Sequence, residues 1–312
     1  MKLSIIIPVY YNEDTLEALY RDLMDKVIMK SEYDYEIVMV NDGSKDRSYS
    51  IMKEISDRDT HVKVISLSRN FGSHAAILCG LANCTGDCAA IKAADLQEPS
   101  ELIVKMVESW KEGNKVVLAV REGRQEEMGQ KIFAGLYYRL IRKTAFPQMP
   151  KDGFDVYLLD RKVIDVLMAL DERNSALTGQ ILWTGFRTAQ VPYIRLRREQ
   201  GISRWTLKKK MRLVSDTLFS FSTVPITVVV AIGSISFLIA CCWSVFVLIA
   251  KLKGNILVSG WTTLFILNLF SFGIIMVTLG ILGGYLWRVF DASRRRPVYI
   301  IEEEYRHKKD QE

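Results

Sequence analysis

The chain is poor in the residues that build disulfide frameworks and zinc sites. Its 312 residues hold five cysteines, Cys79, Cys84, Cys88, Cys241 and Cys242, and three histidines, His61, His74 and His307. An odd cysteine count without paired CxxC spacing argues against a stapled secreted scaffold, and scattered histidines argue against a zinc centre. The first three cysteines read as small buried residues of a reduced cytosolic domain, the last two as residues of apolar helices. No secretory leader is expected, because Leu3–Val9 is short, contains Pro8 and lacks a small-residue cleavage site. Internal repeats and low-complexity tracts are also missing.

Charge is missing from two long stretches. Ile226–Ala250 carries none over 25 positions and Ile256–Trp287 none over 32. Each exceeds the roughly 20 apolar residues that cross a bilayer, so two transmembrane helices are expected, at 226–250 and 261–287. Gly280 and Gly284 have GxxxG spacing, with Gly283 between them, and Asn268 lies mid-stretch. Small residues allow close helix approach, within the hairpin or between subunits of a homo-oligomer.

What is present beside those stretches is positive. Arg195, Arg197, Arg198, Arg204, Lys208, Lys209, Lys210 and Arg212 precede the first, and Arg288, Arg294, Arg295 and Arg296 follow the second. The connector holds only Lys251 and Lys253. The positive-inside rule then puts both termini in the cytoplasm, as in a multi-pass plasma-membrane protein. Basic patches also bind nucleic acid, but this one adjoins apolar spans. Anionic lipid headgroups fit better, so a bilayer and no nucleic acid is expected. Ser203–Phe221 mixes apolar and basic residues, which suits a helix lying in the interface plane.

The first 120 residues alternate between strand and helix patterns. Continuous apolar runs at Leu3–Val9, Tyr35–Val40, Val62–Leu67, Asp87–Ala93 and Lys115–Val120 predict buried parallel strands. Helical spacing predicts helices at Thr15–Ile28, Ser48–Ser56, Ser73–Ala82 and Ser100–Lys111. The succession implies a mostly parallel α/β sheet with helices on both faces. Beyond it, Gly129–Thr144 and Lys162–Leu170 read as helices, Asp155–Leu159 and Phe186–Arg195 as strands, and Arg121–Met128 as a loop. The tail from Arg294 is charged and expected to be partly disordered.

The run Ala93-Ala94-Asp95-Leu96-Gln97-Glu98-Pro99 falls between a strand and a helix, at a strand's C-terminal tip, where open α/β sheets bind ligands. Asp95 and Gln97 are oxygen donors suited to Mg²⁺ or Mn²⁺ holding a diphosphate. An aspartate before a helix also serves as a cap or turn residue.

Four motifs in order carry a resemblance: Ile5-Ile6-Ile7-Pro8-Val9-Tyr10, Asn41-Asp42-Gly43-Ser44, Arg69-Asn70-Phe71-Gly72 and Ala94-Asp95-Leu96-Gln97-Glu98-Pro99. They resemble those of the family 2 glycosyltransferases with a GT-A fold. Gly153–Arg161, Phe186–Pro192 and Gly201-Ile202-Ser203-Arg204-Trp205 resemble the polyprenyl-phosphate branch, which includes dolichyl-phosphate mannose synthases and bactoprenol glucosyltransferases; the paired spans match the latter. The resemblance implies a cytoplasmic GT-A catalytic domain over 1–200, a juxtamembrane amphipathic region over 201–223, two spans within 224–290 and a charged cytoplasmic tail over 291–312.

It also implies roles. Pro8, Tyr10, Glu13, Asp42, Ala94, Asp95 and Gln97 would bind a nucleotide-sugar, with Asp42 accepting from uracil or ribose. Tyr10-Tyr11-Asn12-Glu13 is one residue longer than in many relatives, which shifts the place of Glu13. Asp95 and Gln97 would hold Mg²⁺ or Mn²⁺, although Ala93 stands where relatives carry the first aspartate of Asp-x-Asp. Arg121, Arg124, Lys131, Ser203, Arg204 and Lys208 would bind the polyprenyl phosphate acceptor. Asp155 matches an acidic position beside the acceptor. It removes a proton where the acceptor is a hydroxyl, and orients a cation or the sugar where it is a phosphate. Asp95, Asp155, Arg121 and Lys131 are thus the candidate catalytic residues. The implied activity is inverting transfer of a sugar from a nucleotide-sugar, a UDP-hexose, to undecaprenyl phosphate for cell-envelope glycosylation. Alternatives are a nucleotide-sugar-binding membrane scaffold without turnover and a polysaccharide synthase. The latter suits poorly, since Gln200-Gly-Ile-Ser-Arg204-Trp205 is one residue longer than its Gln-x-x-Arg-Trp motif.

Overall fold

The computed structural model describes residues 1–122, 135, 138, 139, 141–143, 145–151, 153–170, 172, 176–196, 224–253 and 260–306. They form two compact units, Met1–Val214 with Pro297–Glu312, and Ser215–Arg296.

The first unit is built on strands β1 (Lys2–Val9), β2 (Asp34–Asn41), β3 (Val62–Leu67), β4 (Cys88–Ile91), β5 (Val116–Arg121), β6 (Tyr157–Asp160), β7 (Thr188–Tyr193) and β8 (Ile301–Tyr305). They make one sheet in the order β7-β5-β6-β4-β1-β2-β3-β8. The pairs β1–β2, β1–β4, β2–β3 and β5–β7 are parallel; β6 and β8 run antiparallel to their neighbours. The chain goes from β1 outward to β2 and β3, then crosses to the other side of β1 for β4. The strand order therefore reverses between β1 and β4, and doubly wound sheets bind ligands at such a switch point.

Helices α1 (Leu16–Leu23), α2 (Ser48–Arg58), α3 (Ser73–Ala82), α4 (Glu101–Lys111), α5 (Arg161–Leu170) and α6 (Leu177–Trp183) accompany the sheet, and a π-helical turn, Met24–Ile28, extends α1. Period-two alternation in β1 sorts the faces. Leu3, Ile5, Ile7 and Val9 join a core with Leu16, Leu19 and Leu23 of α1, Met52 of α2 and Met106 of α4, all fully buried. Ile6 points the other way, toward α3. A Cβ on Gly80 of that helix would lie 2.2 Å from the Ile6 Cγ2, so only glycine lets the helix this close. Each buried leucine contributes about 1.5–3 kcal/mol.

Two elements differ from expectation. The Leu177–Trp183 helix is not predicted by the pattern. The second is a strand not predicted in the charged C-terminal tail: Ile301–Tyr305 forms β8, which pairs with β3 and carries Lys53–Glu303 and Lys63–Glu304 ion pairs at 2.7 and 3.1 Å, while residues 307–312 lie outside the described residues.

The second unit is a pair of long helices, α7 (Val224–Leu252) and α8 (Trp261–Ser293), which touch each other. Within them Ile226–Trp243 and Phe270–Ser293 have mean hydropathies of 2.3 and 1.7 and none of either window is buried. Both are long and apolar enough to cross a membrane. A Cβ at Gly280 or Gly283 would meet nothing within 4 Å, so among the described residues the small-residue face of α8 is not used inside the hairpin.

Candidate active site

The tips of β1, β2 and β3 are laced together by polar loops. Asp42, which follows β2, is 2% exposed. Its Oδ1 accepts the Phe71 N–H at 2.7 Å, and its Oδ2 accepts from Gly72 N–H at 3.0 Å and Asn70 Nδ2 at 2.8 Å. A carboxylate is suited to this because it accepts several donors at once and donates none. Gly43 makes the approach possible: its φ is +68°, and a Cβ would lie 2.6 Å from the Arg69 carbonyl carbon. The sequence singles out both Asp42-Gly43 and Asn70-Phe71-Gly72, and the structure joins them. Asp42 thus shapes the loop beside the expected nucleoside pocket.

On the neighbouring strand, Pro8 lies in β1, and Tyr10 and Tyr11 follow it with rings edge-to-face at 4.7 Å. Tyr11 has φ 56°, a left-handed backbone held by its N–H donating to Ser44 Oγ at 3.0 Å. Glu13 Oε2 accepts the Arg47 N–H at 2.9 Å, capping the start of α2. Glu13 therefore ties the loop after β1 to the loop after β2.

The motif after β4 comes next. Thr15 Oγ1 donates to the buried Ala94 carbonyl at 2.6 Å, which fixes the motif to the start of α1. Asp95 Oδ1 accepts the Gln97 N–H at 3.3 Å around Leu96, whose φ is 57°. A leucine in the left-handed region is strained by about 1–3 kcal/mol, and such strain concentrates at functional sites. Gln97 Oε1 accepts from the Arg195 guanidinium, and the Gln97 carbonyl accepts the Leu196 N–H at 2.8 Å. On either side sit two buried charges that the sequence-based expectation omits. Lys92, 1% exposed, donates from Nζ to the Glu98 carbonyl. Glu98 is 4% exposed, and its Oε2 has no hydrogen-bond partner among the described residues. Burial holds the lysine below its ordinary pKa. Burial, then the negative Asp95, holds Glu98 above the usual carboxylate range.

The third cluster lies where β5 and β7 end side by side, with Arg121 in register with Tyr193. Arg121 donates from Nε to the Tyr193 hydroxyl at 3.2 Å and pairs through its terminal nitrogen with Asp155. Burial weighs against the guanidinium charge, but Asp155 and Tyr193 outweigh it, so Arg121 stays above its usual pKa. The Asp155 side chain is 68% exposed and that of Arg121 16%, so the carboxylate faces solvent and the cation sits behind it. Arg195, two residues beyond Tyr193, contacts Gln97, which brings the motif after β4 close to the Arg121 cluster. Tyr193 and Arg195 are also new here; Arg195 stood out in the sequence only as one of many basic residues. Arg124, Lys131, Ser203, Arg204 and Lys208 lie outside the described residues.

The donor set fits a hard divalent cation modestly. Asp95 offers one carboxylate and Gln97 one amide oxygen. Among the described residues no three His, Cys, Asp or Glu side chains gather as a metal cluster. Mg²⁺ keeps several waters and substrate phosphates as ligands, so a sparse protein shell is compatible with it. Glu98 Oε2 is a further buried oxygen beside Asp95 without a hydrogen-bond partner.

The loops after β1, β2 and β3, the Asp95–Gln97 turn and the Arg121–Asp155 pair all lie at the C-terminal ends of the parallel strands, where doubly wound sheets bind ligands. The chain belongs to glycosyl transferase family 2, whose model matches residues 4–167, and it is a glycosyltransferase. It is 37% identical over 303 residues to the uncharacterized glycosyltransferase YkcC of Bacillus subtilis, covering 97% of this chain and 94% of that one. It is 34% identical over 309 residues to the bactoprenol glucosyl transferase of Shigella phage SfV, covering 97% and 99%. A glucosyl-3-phosphoglycerate synthase from Mycobacterium tuberculosis, solved with Mn²⁺, UDP-glucose and phosphoglyceric acid, is a distant likeness: 17% identity, 69% and 76% coverage, TM-score 0.44.

Proposed function

We propose that this glycosyltransferase moves a hexosyl group from a UDP-sugar to a polyprenyl phosphate, with inversion, at the cytoplasmic face of a membrane. One observation carries the reading: a single chain joins a family 2 glycosyltransferase domain to two membrane-length apolar helices. The 34% identity to the phage bactoprenol glucosyl transferase runs through both.

The chemistry needs little from a general base. A polyprenyl phosphate is already an anion near neutral pH. One of its oxygens attacks C1 of the sugar opposite the UDP. The C1–O bond to the β-phosphate breaks, its electron pair stays on UDP, and a C1–O–P linkage forms with inverted configuration. No proton has to move. What the protein supplies is position and charge. Arg121, oriented by Asp155 and Tyr193, meets the acceptor phosphate, with Arg124, Lys131, Ser203, Arg204 and Lys208 as its expected partners. Asp42 and Glu13 shape the nucleoside pocket that Pro8, Tyr10 and Ala94 line. Asp95 and Gln97 would hold Mg²⁺ or Mn²⁺, which when bound neutralises charge on the departing diphosphate.

Ala93 favours a second reading, a protein that binds nucleotide-sugar without turnover. Purified protein with Mg²⁺ or Mn²⁺ and labelled UDP-sugars, presented with undecaprenyl phosphate, decides between them. Transfer of label to lipid supports the enzyme. Calorimetric binding of UDP-sugar with no lipid product overturns it in favour of the second reading.

A further inference from the structure

Two residues that follow β7, Arg195 and Leu196, meet the Asp95–Gln97 turn. Arg195 reaches Gln97 Oε1 across 98 positions of sequence, and the adjacent Leu196 N–H fixes the Gln97 carbonyl. Among the described residues the exposed Arg195 makes no ion pair with a carboxylate. Its guanidinium rests instead on a neutral amide oxygen, the same oxygen that a hard cation would take. A guanidinium and a divalent ion cannot share that oxygen without strong repulsion at contact distance. Arginine is also the side chain best shaped for bidentate contact with phosphate.

We propose that Arg195 is a donor-phosphate residue with two positions. Without a divalent cation it sits on Gln97 and holds a positive charge at a turn that carries one carboxylate. When cation and diphosphate enter, it gives up Gln97 and moves onto the diphosphate. This rests on the reading of Asp95 and Gln97 as the cation turn. The consequence is coupling: the protein alone holds the cation weakly, the nucleotide tightens it, and by reciprocity the cation tightens the nucleotide.

The test is a Mn²⁺ titration followed by electron paramagnetic resonance, on the full chain in detergent, with and without UDP. Wild-type protein is expected to bind Mn²⁺ weakly alone and more tightly with UDP. Arg195→Gln removes the competing charge, so Mn²⁺ affinity without UDP rises by about tenfold, the scale of a hydrogen bond to a charged group. The same substitution lowers the tightening by UDP by about tenfold. Arg195→Lys, which keeps the charge but not the fork, lies between. Asp95→Asn is the control and should abolish Mn²⁺ binding in both conditions. If Asp95→Asn binds Mn²⁺ as the wild type does, the cation-turn reading fails and the proposal falls with it. If Asp95→Asn loses Mn²⁺ while Arg195→Gln changes neither the affinity nor the effect of UDP, Arg195 only pins the loop and the proposal alone is overturned.

Discussion

Single side chains set the geometry of this site through backbone groups more than through each other. Asp42 accepts from the Phe71 and Gly72 amides, so its carboxylate builds the loop it faces. Asp42→Asn swaps an acceptor for a donor against those amides; it should cost about 1–3 kcal/mol of stability and weaken UDP binding by calorimetry. Gly43→Ala should cost a similar 1–3 kcal/mol, because it combines a left-handed φ with a clash on the Arg69 backbone. Arg121→Ala should cut kcat/KM for the lipid phosphate about 100-fold and leave UDP affinity unchanged; equal losses in both would contradict its placement on the acceptor side. Glu36 gives the pH dependence. Burial opposes its charge, but Ser4, Thr85 and Lys2 hold it down to about 2, against an ordinary 4.5. Its folded value lies below its unfolded one, so its stabilisation is complete above pH 4.5 and is lost as pH falls toward 2. Glu36→Gln should flatten the acid-unfolding curve in that window, as read by circular dichroism.

At the scale of elements, legibility followed burial. β1 to β5 are continuous apolar runs, and their positions are readable within a few residues because each strand is covered on both faces. Asp95 and Gln97 were readable as a turn pair, and Asp155 and Arg121 as separate candidates. That Asp155 pairs with Arg121, and that Gln97 meets Arg195, depends on β5, β6 and β7 meeting in the sheet, which no local pattern encodes. β8 was unreadable for a related reason. Ile301-Glu302-Glu303-Glu304-Tyr305 looks like a solvated charge run until Lys53 and Lys63 stand opposite it. As an edge strand it covers the otherwise open side of β3, and Tyr305 adds a hydrogen bond to Asp57 at 2.8 Å. Removing residues 297–312 should lower the melting temperature by about 4–8 °C, the shift for a loss of about 2 kcal/mol in a domain of this size, and raise aggregation. An unchanged melting temperature would show that β8 adds nothing to the sheet.

At the scale of the molecule, an α/β unit and an apolar hairpin share one chain, and the function proposed needs both. In the function proposed, the lipid acceptor would bring the reacting phosphate to a membrane surface, and the positive-inside rule applied to the basic residues flanking the hairpin would put the site on the cytoplasmic side. A cysteine placed at Asn255, between the two helices, should therefore react with an impermeant maleimide only from outside the cell. Sugar transfer to a polyprenyl phosphate is tested by product analysis with mass spectrometry. Full-length protein is mixed with Mg²⁺ or Mn²⁺, undecaprenyl phosphate and a panel of UDP-sugars. One lipid product is expected, with the mass of undecaprenyl phosphate plus a hexosyl residue, and it is absent in Asp95→Asn. Nucleotide-sugar consumption without any glycosylated lipid, or no turnover with any donor, would contradict it.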